Sequence, residues 1–538
     1  MPSNAAIEKR PSAQIRKRKW SARSKNGCIT CRIRHVKCDE AKPSCMRCML
    51  SNRVCDPADA FPPQSLPAMN LSIQAAPAGI DCSPLASQTF HNFRHSIVAS
   101  IARGFDHDFW SGDVLKASHT YPAVWHACLA LAATFQNTAT LKTKQMNNYL
   151  KDVLDMFALQ QYNLAIRYAM KLLQNQRPSY ADKEALLLTT IMFTGLSSLQ
   201  GNHKQAFVHA KNGVQIFNQW GLWDEESILQ VAHRDGILSP LYLFSVISCI
   251  EAQIINKLGV DATTLPRRKL HPHRSQLNRI FSSVTEAYHE LLPIWNGLTR
   301  SGIFTTLHSK AFDARPPPDL LCPLRQNFSV WKTKYRAFLR QSEPHNKPQA
   351  VLLLNTLWTG IDVCFRVNTS LEQMCWDTFP VEFTKMTENL EQLIAMEGIG
   401  TNDGAASFSF TSIIAELLSF VGHYYRDGVI RRRLLTAVKN HHAIYDGVWN
   451  IELVAAMINA RMILEENGWK TDAISSCECI SSTFICNDHR VAKSIFSLGT
   501  SGEANMTFVT VDDMKADRPG ILINLMNTRP GIEHFEPT

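Results

Sequence analysis

Six cysteines stand close together near the start of this 538-residue chain: Cys28, Cys31, Cys38, Cys45, Cys48 and Cys55. Their spacing is C-x2-C-x6-C-x6-C-x2-C-x6-C, so the set 28, 31, 38 repeats as 45, 48, 55. A C-x2-C pair sets two thiolates on one metal ion at the start of a short helix. Six ligands are too many for one tetrahedral zinc, and two zincs need eight ligand positions. Six cysteines fill eight positions only when two of them bridge, and the symmetric choice is the first of each half, Cys28 and Cys45. The segment carries only seven large apolar side chains, Ile29, Ile33, Val36, Met46, Met49, Leu50 and Val54. Burying all seven contributes roughly 10–20 kcal/mol, while ordering the segment costs about 40 kcal/mol. Two structural zincs at roughly 10–16 kcal/mol each close that gap. The expected cofactor is therefore zinc, two ions per chain, held by all six cysteines.

Charge points to the partner. The first 55 residues hold 14 Lys/Arg against 3 Asp/Glu, and the remainder holds 42 against 44. All of the excess positive charge thus lies in the first tenth of the chain, where it suits an anionic partner such as nucleic acid. Within the cysteine segment the first half is the more basic, with Arg32, Arg34, His35 and Lys37 between its second and third cysteines. Arg34 and Lys37 are three apart and share one face of a short helix. Arg or Lys donating to guanine O6 and N7 is the commonest specific base contact. Lys25 and the run Arg16-Lys17-Arg18-Lys19 add charge ahead of the cluster, as a nuclear import signal, a DNA-backbone arm, or a solvated tail.

The segment resembles the fungal Zn2Cys6 binuclear cluster family in Gly27-Cys28, in Thr30 through Glu40, and in Pro43, Cys45, Cys48 and Cys55. That resemblance implies a nuclear, DNA-binding regulator of RNA polymerase II transcription that reads CGG-type triplets in the major groove. It places the base contacts on the basic residues of the first half, Arg34, His35 and Lys37, with Arg32 and Lys25 as further DNA contacts. Many members carry Lys or Arg where this chain has His35. A cluster that folds without reading DNA, in an interaction protein or co-regulator, is the alternative.

The elements that must position this module are read more coarsely. Residues 1–27 form a basic arm, 28–55 the cluster, and 56–90 a linker. Within that linker Pro57, Pro62, Pro63, Pro67, Pro77 and Pro84 interrupt any heptad pattern, so no coiled coil is expected and a homodimer is left open. Residues 91–500 read as a large all-α domain of helical hairpins, and 501–538 as a C-terminal tail. Helices are expected from Pro122, over 149–173 and 182–199, and in a partner helix carrying Ala206, Ala210, Val214 and Phe217. Further helices are expected over 351–368, 411–440 and 451–466, and a short strand pair near 506–511 and 520–526. Gly236 to Ile250 reads as a buried helix, because no run reaches the ~18 uncharged apolar residues of a membrane span.

This body resembles the fungal-specific transcription factor regulatory region. The matching residues are Asp108-Phe109-Trp110, Ser118-His119, Pro122 through Ala127, Leu199 through Asn202 with His209, Arg431-Arg432-Arg433, and Gly447-Val448-Trp449. Trp125, Trp220, Trp376 and Trp449 are expected in its core. It contains no G-x-S-x-G, H-E-x-x-H, Walker or G-x-G-x-x-G motif, so no enzyme is expected. The first 30 residues hold no apolar signal core, and thiols are expected free or metal-bound. His271-Pro272-His273, His441-His442 and Cys477-Glu478-Cys479 read as isolated pairs on the surface or in the core. The nine cysteines after Cys55 are accordingly expected to be dispensable for metal, and the body to fold without zinc.

Overall fold

The computed structural model describes residues 27–28, 30–31, 34, 36–41, 44–51, 55, 77, 80, 82–101, 105–143, 148–221, 236–258, 279–301, 303, 318–341, 348–367, 369–399, 407–441, 444–467, 477–480, 483–499 and 502–525. The chain divides into two units, residues 1–74 and 75–538. The first holds the cysteine segment, which includes the short helix α1 (Met46–Met49).

The second unit is helical, as expected, and organised by one large apolar core with a small satellite cluster at Ala123, Ala169 and Leu186. It opens with α2 (Pro84–Asn92), capped by Ser83, which lies inside the stretch expected to be linker. A wide helical turn over Phe93–Ile97 leads into α3 (Val98–Ile101), and a second over Phe109–Asp113 leads into α4 (Val114–Thr120). Next comes α5 (Pro122–Thr143), with proline at the position where a missing N–H costs nothing. Residues 123–135 of α5 are buried without a gap, so this helix is apolar all round and forms the axis of the unit. The amphipathic α6 (Asn148–Leu173) lies along it.

The expected hairpin follows as α7 (Tyr180–Leu199) and α8 (His203–Gln219). A reciprocal cap between Ser179 and Asp182 starts α7, Gly201 turns the chain at φ 70°, and Asn202 caps α8. The segment from Gly236 is α9 (Pro240–Leu258), and no described helix is long and apolar enough to cross a membrane. Among the helices that escaped the sequence reading are α10 (Val284–Arg300) and α11 (Pro318–Gln341). Each contains an internal proline, Pro293 or Pro323, which argues against a helix when local propensity alone is weighed. Packing overrides it: the buried indole of Trp331 on α11 donates to the Ala287 carbonyl at 2.8 Å. Then come α12 (Pro348–Arg366) and α13 (Pro380–Ile399).

The stretch expected to be one helix over 411–440 is two, α14 (Ile414–Tyr424) and α15 (Gly428–Asn440). The chain breaks at Tyr425-Arg426-Asp427, where Asp427 caps α15 and Arg426 turns inward. The last long helix is α16 (Ile451–Asn467). Around these lies a small sheet of β1 (Ser407–Ser409), β2 (Ile444–Asp446) and β3 (Trp449–Asn450), with β1 parallel to β2 and β2 antiparallel to β3. Gly447 turns β2 into β3 at φ 62°, and a Cβ there would run into the Gln253 side chain. The sheet strands are too short to show any period of two.

The last described elements are a meander of β4 (Val491–Leu498), β5 (Ala504–Thr510) and β6 (Ile521–Asn524), with α17 (Val511–Lys515) between the last two. The expected pair corresponds to β5 and β6. Their partner β4 was not read, because Lys493, Ser494 and Ser497 blur its alternation. Phe496 of β4 meets Trp449 and Phe207, which seats this sheet on the core. Trp125, Trp376 and Trp449 are buried as expected, whereas Trp220 is only half-buried.

Three buried arginines surround one carboxylate where α14, α15 and α16 meet. Glu465 takes Arg431 at 2.6 Å, Arg426 at 3.3 Å and Arg461 at 3.2 Å, and accepts the Val491 N–H at 2.9 Å. The neighbouring arginines of the Arg431-Arg432-Arg433 run pair elsewhere, Arg432 with Glu466 and Arg433 with Glu391. The run is thus a structural clamp within the body.

Candidate metal centre and nucleic-acid interface

Among the described residues of the first unit, sulfur forms the interior. Cys28, Cys31, Cys38, Cys45 and Cys48 are buried, with Cys55 half-buried beside them. The apolar side chains do not share that interior. Met46, Met49 and Leu50 are 49%, 55% and 81% exposed, and Val36 is also exposed. The apolar contribution reckoned from the sequence is therefore too large, since four of the seven side chains stay in water. Ile29, Ile33 and Val54 lie outside the described residues. Metal must carry correspondingly more of the folding free energy.

The sulfur positions suit zinc. Cys28 Sγ lies 3.7 Å from both Cys45 Sγ and Cys48 Sγ, and Cys31 Sγ lies 3.7 Å from Cys45 Sγ and 3.9 Å from Cys48 Sγ. Two thiolates on one tetrahedral zinc, with bonds of about 2.3 Å, are about 3.8 Å apart. Cys38 Sγ also lies within 4.8 Å of Cys45 Sγ. Burial pushes the Cys31 thiol up to about 12 and the Cys28 thiol higher still, whereas at Cys45 burial is outweighed by the Cys48 N–H and the neighbouring thiols, which bring the thiol down to about 6.

The repeat of the sequence is a repeat of contacts. Cys28 N–H donates to Cys38 Sγ at 3.4 Å, and Cys45 N–H donates to Cys55 Sγ at 3.2 Å. Both pairs are ten residues apart. The halves are joined by Asp39, whose carboxylate accepts from the N–H groups of Met46 at 2.9 Å and Arg47 at 3.3 Å. The Met46 N–H holds the Asp39 carboxyl below its usual range. The sequence reading missed this cap, although the repeat signals it: Asp39 follows Cys38 as Asp56 follows Cys55. Asp56 lies outside the described residues. Glu40 adopts a left-handed φ of 56°, and its N–H donates to Cys38 Sγ at 3.4 Å.

Of the expected DNA contacts, Arg34 and Lys37 are described and both are exposed. Arg32, His35, Lys25 and the run Arg16 to Lys19 lie outside the described residues, as does most of the expected linker. Arg34 Nη1 donates to Ser51 Oγ at 2.8 Å. Ser51 in turn lies on the Arg47 and Cys48 carbonyls at 2.8 and 3.2 Å. Arg34 and Ser51 occupy the same place in their two halves, so this contact marks the seam between them. Far along the chain, Cys477 and Cys479 are not an isolated pair: Cys486 and His489 join them in a second cluster of potential ligands.

Residues 26–65 match the family described as the fungal Zn(2)-Cys(6) binuclear cluster domain, and residues 88–303 match the fungal specific transcription factor domain. The aspercryptin biosynthesis cluster-specific transcription regulator of Emericella nidulans is 30% identical over 274 residues, covering 46% of this chain and 43% of that protein. An uncharacterized transcriptional regulatory protein of Schizosaccharomyces pombe is 30% identical over 138 residues, 22% of this chain and 25% of its own length. A transcription factor of Flammulina velutipes is 42% identical over 80 residues, 14% of this chain and 28% of its own length. The chain thus spans less than half the length of each of these relatives. No solved structure matches. Over the residues these comparisons cover, the sulfur-cored module and the helical body are similar to fungal zinc-cluster transcription regulators.

Proposed function

We propose that this protein is a nuclear, zinc-dependent regulator of RNA polymerase II transcription that binds double-stranded DNA and reads CGG-type triplets in the major groove. The observation that carries the reading is an interior of cysteine sulfur spaced for zinc, with Arg34 and Lys37 exposed outside it. Two zincs would be held by the six thiolates, with Cys28 and Cys45 bridging. Each ion supplies only structure, since four protein ligands leave no open position. Six thiolates outweigh two divalent ions, so the core is a net anion. The backbone N–H donors of Cys28, Cys31, Glu40 and Cys45 offset that charge.

On this reading Arg34 faces the bases. Ser51 engages one of its N–H groups, which orients the guanidinium while leaving other donors for guanine O6 and N7. His35 and Lys37 would complete the base contacts. Arg32, Lys25 and the basic arm 1–27 would hold phosphates, which position the module without reading sequence. The helical body, from the end of the linker to about residue 500, would contact the transcription machinery.

Selection from a random duplex pool by the zinc-loaded full chain tests this. Enrichment of CGG-type triplets is the expected result. Recovery of unselected sequence at every salt concentration would favour the alternative, a cluster that folds without reading DNA. Metal analysis of residues 20–60 finding one zinc, or none, would refute the two-ion count.

A further inference from the structure

The second cluster of potential ligands lies just ahead of β4. Cys477, Cys479, Cys486 and His489 read C-x-C-x6-C-x2-H. His489 Nδ1 lies 3.3 Å from Cys477 Sγ, 3.2 Å from Cys479 Sγ and 3.4 Å from Cys486 Sγ, and all four atoms fall within 4.8 Å of one another. An imidazole nitrogen has one proton or one lone pair, so it can satisfy one of three thiols, not all of them. A single cation among them satisfies every one. With zinc bonds of about 2.3 Å to sulfur and about 2.0 Å to nitrogen, a tetrahedral ion sets sulfur and nitrogen about 3.5 Å apart. The observed contacts are within a few tenths of that.

The local fold supports this arrangement. Ile480 and Phe484 exchange backbone hydrogen bonds of 2.8 and 2.9 Å, which brings Cys479 and Cys486 side by side at the ends of a small loop. The N–H of Cys479 donates to Cys477 Sγ at 3.3 Å and that of Cys486 to Cys479 Sγ at 3.1 Å, as thiolate ligands require. His489 is 6% exposed, and its ring is oriented by packing and by the sulfurs. Arg490, also buried, fixes the next residue by donating to the Ile485 and Gln373 carbonyls and to both carboxylate oxygens of Asp377. Val491 N–H then reaches Glu465 on α16. On the far side Asp488 accepts from Asp512 N–H and from Lys515 on α17.

We propose that Cys477, Cys479, Cys486 and His489 form a structural zinc site, separate from the N-terminal cluster, that fastens the C-terminal sheet to the helical body. Three thiolates and one imidazole are a ligand set that selects zinc over hard cations such as magnesium or calcium. The set is closed, with four protein ligands, so the ion holds structure and performs no reaction. This replaces the expectation that the cysteines beyond the N-terminal module are dispensable for metal and that the body folds without zinc.

The test is zinc content of the full chain carrying Cys31→Ser and Cys48→Ser, which disables the N-terminal cluster. One equivalent of zinc is expected to remain, and to be lost on adding His489→Ala or Cys486→Ser. A folded cluster-disabled chain that retains no zinc overturns the proposal, as does one that keeps its zinc after both substitutions. Should those variants fail to fold, cobalt loading of the cluster-disabled chain reads the intact site. Absorption of tetrahedral cobalt with three thiolates and one nitrogen is expected, and its absence overturns the assignment. Neither readout depends on DNA binding or on how many zincs the N-terminal cluster holds.

Discussion

Replacing Glu465 by Gln keeps the shape of the side chain and removes its charge. In the intact protein this carboxylate is the only acidic group paired with Arg426, Arg431 and Arg461 among the described ion pairs, and Glu465 and all three arginines are buried. Some of their N–H groups have other acceptors: Arg431 Nε donates to Gly422 O, and Arg461 Nη2 to Val491 O. The neutral amide would therefore leave three positive charges with hydrogen bonds but no counter-charge. Breaking a buried pair in this way costs about 3–5 kcal/mol, and three arginines on one carboxylate argue for the upper part of that range. Against a typical stability of roughly 5–15 kcal/mol this is a large loss. Burial alone would raise the Glu465 carboxyl, but Arg431, Arg426 and Arg461 overcome it and hold the group far below the usual carboxylate range. A depressed folded value means the stabilisation is fully present above the ordinary carboxylate value of about 4.3. It is lost as pH falls below that value toward the folded one. Urea unfolding of the full chain and of E465Q at neutral pH, and again at pH values descending through 4, measures both effects. The gap between the two proteins should narrow on acidification. A loss under about 1 kcal/mol at neutral pH, or a gap that widens in acid, would refute the argument that this carboxylate neutralises the cluster.

Arg34→Ala should cost about 1–3 kcal/mol on the preferred DNA site and much less on random DNA; equal loss on both would make Arg34 a phosphate contact and pass base reading to His35 or Lys37. Neutralising Arg16, Lys17, Arg18 and Lys19 together should weaken both DNAs alike and flatten the dependence of affinity on salt, because fewer counterions are released. An unchanged salt slope would remove the run from the interface. Gly195→Ala should destabilise the body by about 1–3 kcal/mol, because the added Cβ would lie 2.8 Å from the buried ring of Phe408. A thermal midpoint at or above that of the parent would mean that the Phe408 and Phe410 rings can shift aside.

The zinc-cluster segment was legible because its information is local. A duplicated cysteine spacing within one short stretch marks the cysteines as one cluster before any fold is known, and the structure does bring them together. The α7–α8 hairpin was legible for the same reason, with apolar periodicity on both sides of the Gly201-Asn202 turn. Where apolar residues run without a break, as in α5, composition alone sufficed.

Other features depend on contacts between residues far apart in the chain. The period-3.6 pattern continues through 411–440, yet the helix breaks at Arg426 because a charge on α16 draws that side chain inward. Pro293 and Pro323 read locally as helix breakers, yet α10 and α11 form because they pack together, with Trp331 donating to the Ala287 carbonyl and Lys334 pairing with Glu290. The fourth ligand of the second metal site is the same kind of case. Cys477-Glu478-Cys479 by itself is an isolated pair, and the spacing to Cys486 and His489 is written in the sequence but has no repeat to draw attention to it. It becomes a site only when the Ile480–Phe484 bridge closes the loop and Arg490 anchors it. What the sequence by itself determined was the sulfur-rich module, its charge and the helical class of the body, since each follows from residue types at short spacing. The tertiary structure decided which apolar side chains stay in water, where the long helix breaks, and that three late cysteines and a histidine meet, since each depends on what a distant element places beside them.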